Sequence, residues 1–96
     1  LDQIPSGGNC YLTIDADGMD PAVMPAVAGP APGGVSYHQA RKLIQGLASK
    51  TRLIGMDIVE ITPKRDVNGI TAVTAGNLII NLIGSAVRAG YFESRN

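Results

Sequence analysis

Residues 11–34 read YLTIDADGMDPAVMPAVAGPAPGG: an apolar, β-branched run that meets three aspartates, Asp15, Asp17 and Asp20, and then four prolines and a Gly-Gly pair. An apolar run that stops at a charged residue is the pattern of a short buried strand reaching a loop, so a strand is expected over 10–14. Proline fixes φ and removes a donor, so residues 15–34 are expected to form a loop with little backbone freedom rather than a helix. The strand delivers Asp15 and Asp17 to one spot, and crowded carboxylates raise one another's pKa unless a cation or a shared proton offsets the repulsion. Such oxygen donors suit magnesium, calcium or manganese. Asp20, followed by Pro21, reads as a turn residue instead.

Beyond the loop, Ser36 is a good N-cap, and Tyr37, Ala40, Leu43, Ile44 and Leu47 recur at helical spacing with Arg41, Lys42 and Gln45 on the other face. This predicts a helix over 36–49, with Tyr37 packed as its first apolar residue. A second apolar run, LIGMDIVEI over 53–61, is closed by Thr62-Pro63 and predicts a second strand with Asp57 inside it and Glu60 near its end. The charged loop KRDVNG follows, with Lys64 and Arg65 read as solvated, and then residues 71–89, apolar nearly all round, predict a helix covered on more than one side. Strands separated by helices pair in parallel through right-handed crossovers, so the class is α/β. In such sheets functional groups collect at the carboxyl ends of strands, where Asp15, Asp17 and Glu60 stand.

The 96 residues, 45% hydrophobic, are expected to belong to one domain, and two strands alone do not make a stable parallel sheet, whose faces need helices and whose strands need neighbours. With an opening at Leu1 rather than a methionine, the chain reads as part of something longer. Eight basic and eight acidic residues cancel, so neither nucleic acid nor an anionic membrane is an expected partner. The longest apolar stretch, 77–87, is interrupted by Asn81, Gly84 and Ser85 and falls short of the roughly 20 residues that cross a bilayer, so no membrane span is expected. The single Cys10 reads as a small buried hydrophobe, and His38, early in the first helix, as a surface residue.

Three known patterns compete for DADGMD. An EF-hand loop needs an oxygen ligand, Gly and Glu where Met19, Asp20 and Ala26 stand, so it fails. Residues 12–19, LTIDADGM, resemble haloacid-dehalogenase-type phosphatases, with Asp15 as nucleophile, but Met19 replaces that family's phosphate-binding Thr. The better resemblance is to the ureohydrolases, the arginase and agmatinase family, on Thr13, Asp15, Asp17, Asp20, Pro21, Pro25, Pro30, Gly33 and Gly34, and again on Asp57, Glu60 and Pro63.

That resemblance implies an arginase-like three-layer fold, a parallel sheet with helices on both faces, of which residues 1–96 are the C-terminal segment. It implies hydrolysis of a guanidino compound, agmatine-like or related, to urea and an amine by a hydroxide bridging two Mn(2+) ions. Asp15 would bridge both ions, Asp17 would bind one, Glu60 would bind the substrate guanidinium, and Asp57 would make a supporting hydrogen bond. It also implies a cytoplasmic homo-oligomer, trimer or hexamer. The family's other ligands come from Gly-Gly-Asp-His and Asp-Ala-His-x-Asp motifs, which this sequence lacks, so these residues alone are expected to be inactive. A Thr-Gly-Thr-Pro run of many members is Val27, Ala28, Gly29 and Pro30 here. A family member that has kept the fold and serves as a binding or oligomer-forming subunit is the non-catalytic alternative.

Overall fold

The computed structural model describes residues 1–93. The order is β1 (Asn9–Asp15), a 3-10 turn (Ala16–Gly18), α1 (Tyr37–Lys50), β2 (Arg52–Val59), a second 3-10 turn (Pro63–Arg65) and α2 (Ile70–Arg88). β1 and β2 pair in parallel from Asn9 opposite Arg52 to Asp15 opposite Val59, with a register shift between Cys10 and Tyr11. The fold is the α/β type expected, each element lying within about two residues of its predicted bounds.

α1 begins at a capping box: the Ser36 side chain accepts from the Gln39 N–H, and the Gln39 side chain accepts from the Ser36 N–H. Along β1, Cys10, Leu12 and Ile14 are half-buried while Tyr11, Thr13 and Asp15 are exposed, the period-two alternation of a strand covered on one face. Leu12, Ile14 and Ile58 pack against a buried cluster to which α1 contributes Ala40 and Ile44 and α2 contributes Ala75 and Leu78. The other face of the strand pair is left uncovered by the described residues. Cys10, on the covered face near the start of the strand, packs partly against Leu47, Ala48 and Leu53 and is only half-buried, correcting the expectation of full burial.

The loop after β1 contributes Met19, Met24 and Val27 to the same core. Met24, Val27, Ile44 and Leu78 are fully enclosed, and each apolar side chain so buried stabilises the fold by about 1.5–3 kcal/mol. The Gly-Gly pair serves backbone contact. Val35 N–H donates to Gly18 O and Asp20 N–H to Val35 O, both at 2.9 Å, forming a parallel bridge between Met19 and Val35. A Cβ on Gly34 would lie 2.6 Å from the Met19 carbonyl carbon, and Gly33 has φ +84°, so the first position of the pair needs left-handed backbone and the second needs the absence of a side chain.

Two expectations change at the helices. Leu43 is 43% exposed and Arg41 is half-buried, so the buried stripe of α1 is Ala40, Ile44, Leu47 and Ala48. On α2 only Thr71, Thr74, Ala75, Leu78 and Ala86 are buried, and Val73, Ile80, Ile83 and Val87 are exposed, because α1 and the loop reach just one side of it. The helix runs 19 residues at mean hydropathy 1.6, long and apolar enough to cross a bilayer, so length does not exclude a span. Its Thr71 and Thr74 hydroxyls hydrogen-bond to the loop backbone, which places α2 as a packed helix of this fold. Tyr91, beyond α2, locks the far end: its hydroxyl accepts from Leu53 N–H at 2.8 Å and lies 3.0 Å from Ala48 O and 2.9 Å from Thr51 O, able to donate its proton to one of them.

Candidate functional site

Asp15 ends β1 and is the N-cap of the following 3-10 turn, its Oδ1 accepting from the Asp17 N–H at 2.9 Å. One hydrogen bond thus fixes the Asp15 carboxylate against the Asp17 backbone. Asp17 Oδ1 is buried and has no hydrogen-bond partner. A carboxylate oxygen enclosed without a donor is costly, and a bound cation is one group that satisfies it. The donor set therefore fits a hard metal ion. Among the described residues no group of three or more His, Cys, Asp or Glu side chains comes close enough to enclose one, so Asp15 and Asp17 make only part of a centre.

Glu60 leaves β2 one residue after Val59, which pairs with Asp15, so both acids stand at the same edge of the sheet. Its backbone is left-handed, φ 67°, a conformation that costs a residue with a Cβ about 1–2 kcal/mol. The turn lets the chain leave the exposed strand end and return half-buried Ile61 to the core. The side chain is exposed.

Asp20 is the turn residue expected of it. Its Oδ1 accepts from Ala22 N–H at 2.9 Å and its Oδ2 from Gly33 N–H at 3.2 Å, closing the loop on itself. Asp57 lies inside β2 and accepts from the Tyr11 hydroxyl at 3.1 Å, and its other oxygen is buried without a partner. That hydrogen bond, then burial and the carboxylate charge, hold the Tyr11 pKa above its usual value. His38 is exposed, its ring edge-on to Tyr37 at 5.5 Å. Tyr37 is half-buried, and its hydroxyl accepts from Asn81 Nδ2 at 2.8 Å.

Two residues do more than the sequence indicated. Arg65 is not simply solvated: its Nη1 donates to Ala28 O at 3.0 Å, tying the turn after Glu60 to the loop after Asp17. Asp66 caps α2, accepting from Val67 and Thr71 N–H at 2.9 Å and from Ala72 N–H at 3.2 Å. The Thr71 N–H is the main cause holding the Asp66 carboxyl below its usual pKa, partial burial opposing it. Asp ahead of a helix start was a legible signal for the second; nothing local marks the first.

Residues 1–84 match the family model described as Arginase family. This chain belongs to the arginase family. Among its relatives in that family, an N(1)-aminopropylagmatine ureohydrolase of Thermus thermophilus is 35% identical over 88 residues, 91% of this chain and 29% of that protein. An agmatinase of Escherichia coli is 38% identical over 81 residues, 84% of this chain and 26% of that protein. The agmatine ureohydrolase structure of Thermoplasma volcanium superposes with a TM-score of 0.75 at 38% identity, covering 88% of this chain and 28% of that one. The arginase-like fold follows from such matches, and this arginase-family chain spans less than a third of the length of these relatives. The phosphatase resemblance, confined to residues 12–19, is left without support beside a family match over 1–84.

Proposed function

We propose that residues 1–96 form the C-terminal segment of a single ureohydrolase domain, and that the complete protein hydrolyses a guanidino compound, agmatine-like or related, to urea and an amine. The observation that carries this reading is the buried, unpartnered Oδ1 of Asp17, whose backbone N–H holds the Asp15 carboxylate, at the same sheet edge as Glu60. The relatives named agmatinase and ureohydrolase support the substrate class.

Asp15 and Asp17 would hold manganese, two ions per complete site. When bound, the ions supply the Lewis acidity that makes water a nucleophile near neutral pH. Asp15 contributes one carboxylate whose Oδ1 is already oriented by the Asp17 N–H, leaving Oδ2 free to point outward. Asp17 contributes the enclosed Oδ1, which loses no protein hydrogen bond on taking up a cation. Glu60 would accept hydrogen bonds from the guanidinium and offset its charge, orienting the carbon under attack. Asp20 holds the loop in place through Gly33 and Ala22 without touching substrate.

Measurement of manganese content and urea release in the complete protein carrying Asp15→Ala tests the reading: both fall if it is right, and unchanged values overturn it. An unsubstituted complete protein that neither binds manganese nor releases urea favours the non-catalytic alternative, a family member that has kept the fold and lost the cluster. A cytoplasmic homo-oligomer, trimer or hexamer, is part of the proposal through the resemblance, and light scattering of the complete protein tests its assembly.

A further inference from the structure

The loop between the two carboxylate segments has an unusual construction. Residues 28–32 are Ala-Gly-Pro-Ala-Pro, all exposed, with no side-chain hydrogen-bonding group among them. This strap is anchored at both ends. At its start Val27 is buried and Ala28 O accepts from Arg65 Nη1 at 3.0 Å; just beyond its end Gly33 N–H donates to Asp20 Oδ2 at 3.2 Å. Pro30 and Pro32 stiffen the span between the anchors. No other hydrogen bond reaches residues 28–32 among the described residues.

Arg65 belongs to the other site segment. It lies five residues after Glu60, in the 3-10 turn Pro63–Arg65. One turn-length earlier, Thr62 N–H donates to Ala26 O at 2.6 Å, so two hydrogen bonds in succession join the Glu60 segment to the Asp17 loop. Ala26 is itself fixed, its N–H donating to the buried Thr71 Oγ1 at 3.0 Å. The Thr62 bond sits beside fully buried Ala26 and Val27, whereas the Arg65 bond is the outer one and, among the described residues, the only side-chain hydrogen bond to the strap itself.

We infer that Arg65 is a positioning residue for the proposed guanidinium site: by holding Ala28 O it fixes the apolar strap 28–32 as a wall relative to Glu60. The assignment rests on the functional reading of Glu60. A planar guanidinium can lie against a carbonyl and keep its remaining donors solvated, and a lysine ammonium on a flexible stem reproduces the charge and one hydrogen bond but less of the geometry. Arg65 touches neither metal nor substrate in this account and acts through the strap.

The test uses the complete protein and its Arg65→Gln and Arg65→Lys variants. Backbone amide exchange is followed by NMR at Gly33, Thr62 and Leu53, and guanidinium chloride and Mn(2+) are titrated separately at low concentration, reading the Glu60 and Asp17 signals. With Arg65→Gln, exchange at Gly33 and Thr62 is expected to quicken about fivefold, the effect of one lost hydrogen bond, while Leu53, held by Tyr91, stays constant. Guanidinium affinity falls by a similar factor, Mn(2+) affinity is unchanged, and Arg65→Lys recovers part of both losses. Equal acceleration at Leu53 would mean global destabilisation and overturns the positioning role, as does unaltered guanidinium affinity in Arg65→Gln. If the unsubstituted complete protein shows no Glu60 response to guanidinium at all, the functional reading fails first and takes the assignment with it.

Discussion

Glu60 holds a left-handed backbone with a side chain that no local sequence rule would put there, and the strain can be measured by removing it in two ways. Glu60→Ala and Glu60→Gly both delete the carboxylate, but only glycine deletes the Cβ that makes φ 67° unfavourable. Relief of the left-handed conformation is worth about 1–2 kcal/mol. Glycine also widens the unfolded ensemble, which takes back about 0.4–1 kcal/mol. The glycine variant is therefore expected to be more stable than the alanine variant by about 0.5–1 kcal/mol, and for a chain of this size that is a difference of roughly 2–8 °C in Tm. Paired urea melts and thermal scans read the difference directly, and guanidinium titration reads function in the same samples. Both variants lose the carboxylate and should lose guanidinium affinity alike. The outcome that refutes the reasoning is an alanine variant more stable than the glycine one by about 0.4–1 kcal/mol, since the unfolded-state term would then stand alone and the backbone at this position would carry no strain. Glu60 would in that case be an ordinary strand-end residue, without the observation that singles it out as a site residue.

Gly34→Ala is expected to destabilise the chain by several kcal/mol, because its Cβ would press within 2.6 Å of the Met19 backbone, which cannot move aside like a side chain; denaturant titration checks it. Asp66→Asn should weaken the start of α2, seen as loss of helical ellipticity at neutral pH. Because the folded Asp66 pKa lies below its unfolded value, its stabilisation is complete above the ordinary carboxylate range, near pH 4, and is lost as pH falls through the folded value. The wild-type chain should lose stability over that acid window and Asp66→Asn should lose less. Tyr91→Phe leaves the Leu53 N–H without its acceptor and is expected to cost about 1–3 kcal/mol, with the faster amide exchange centred on Leu53.

What the sequence revealed was local. The apolar run stopping at Asp15, the Ser36 cap and the helical spacing of Ala40, Ile44 and Leu47 each depend on neighbours within a turn or a strand, and each is found in place. Asp15 and Asp17 could be named because a strand end brings adjacent residues together without help from the rest of the fold. What stayed hidden depends on distant partners. The Arg65 contact spans 37 positions and the Tyr91 contact with Leu53 spans 38, and no periodicity encodes either. The exposure of Ile80 and Ile83 was hidden for a different reason: an apolar helix face declares that something covers it, not whether the covering element lies in the same stretch of chain.

The bare edges of the strand pair carry a consequence for geography. β1 and β2 have each other and no further strand among the described residues, and each offers an unpaired row of backbone donors and acceptors on its outer side. Parallel strands of this apolar kind are typically interior strands, so in a complete domain the pair would take the middle of a wider sheet rather than its rim. Asp15, Asp17 and Glu60 would then stand at the centre of the carboxyl edge, flanked on both sides by strand ends. A centre placed there can draw donors from left and right at once, and two carboxylates on one loop can remain the minority of its coordination sphere.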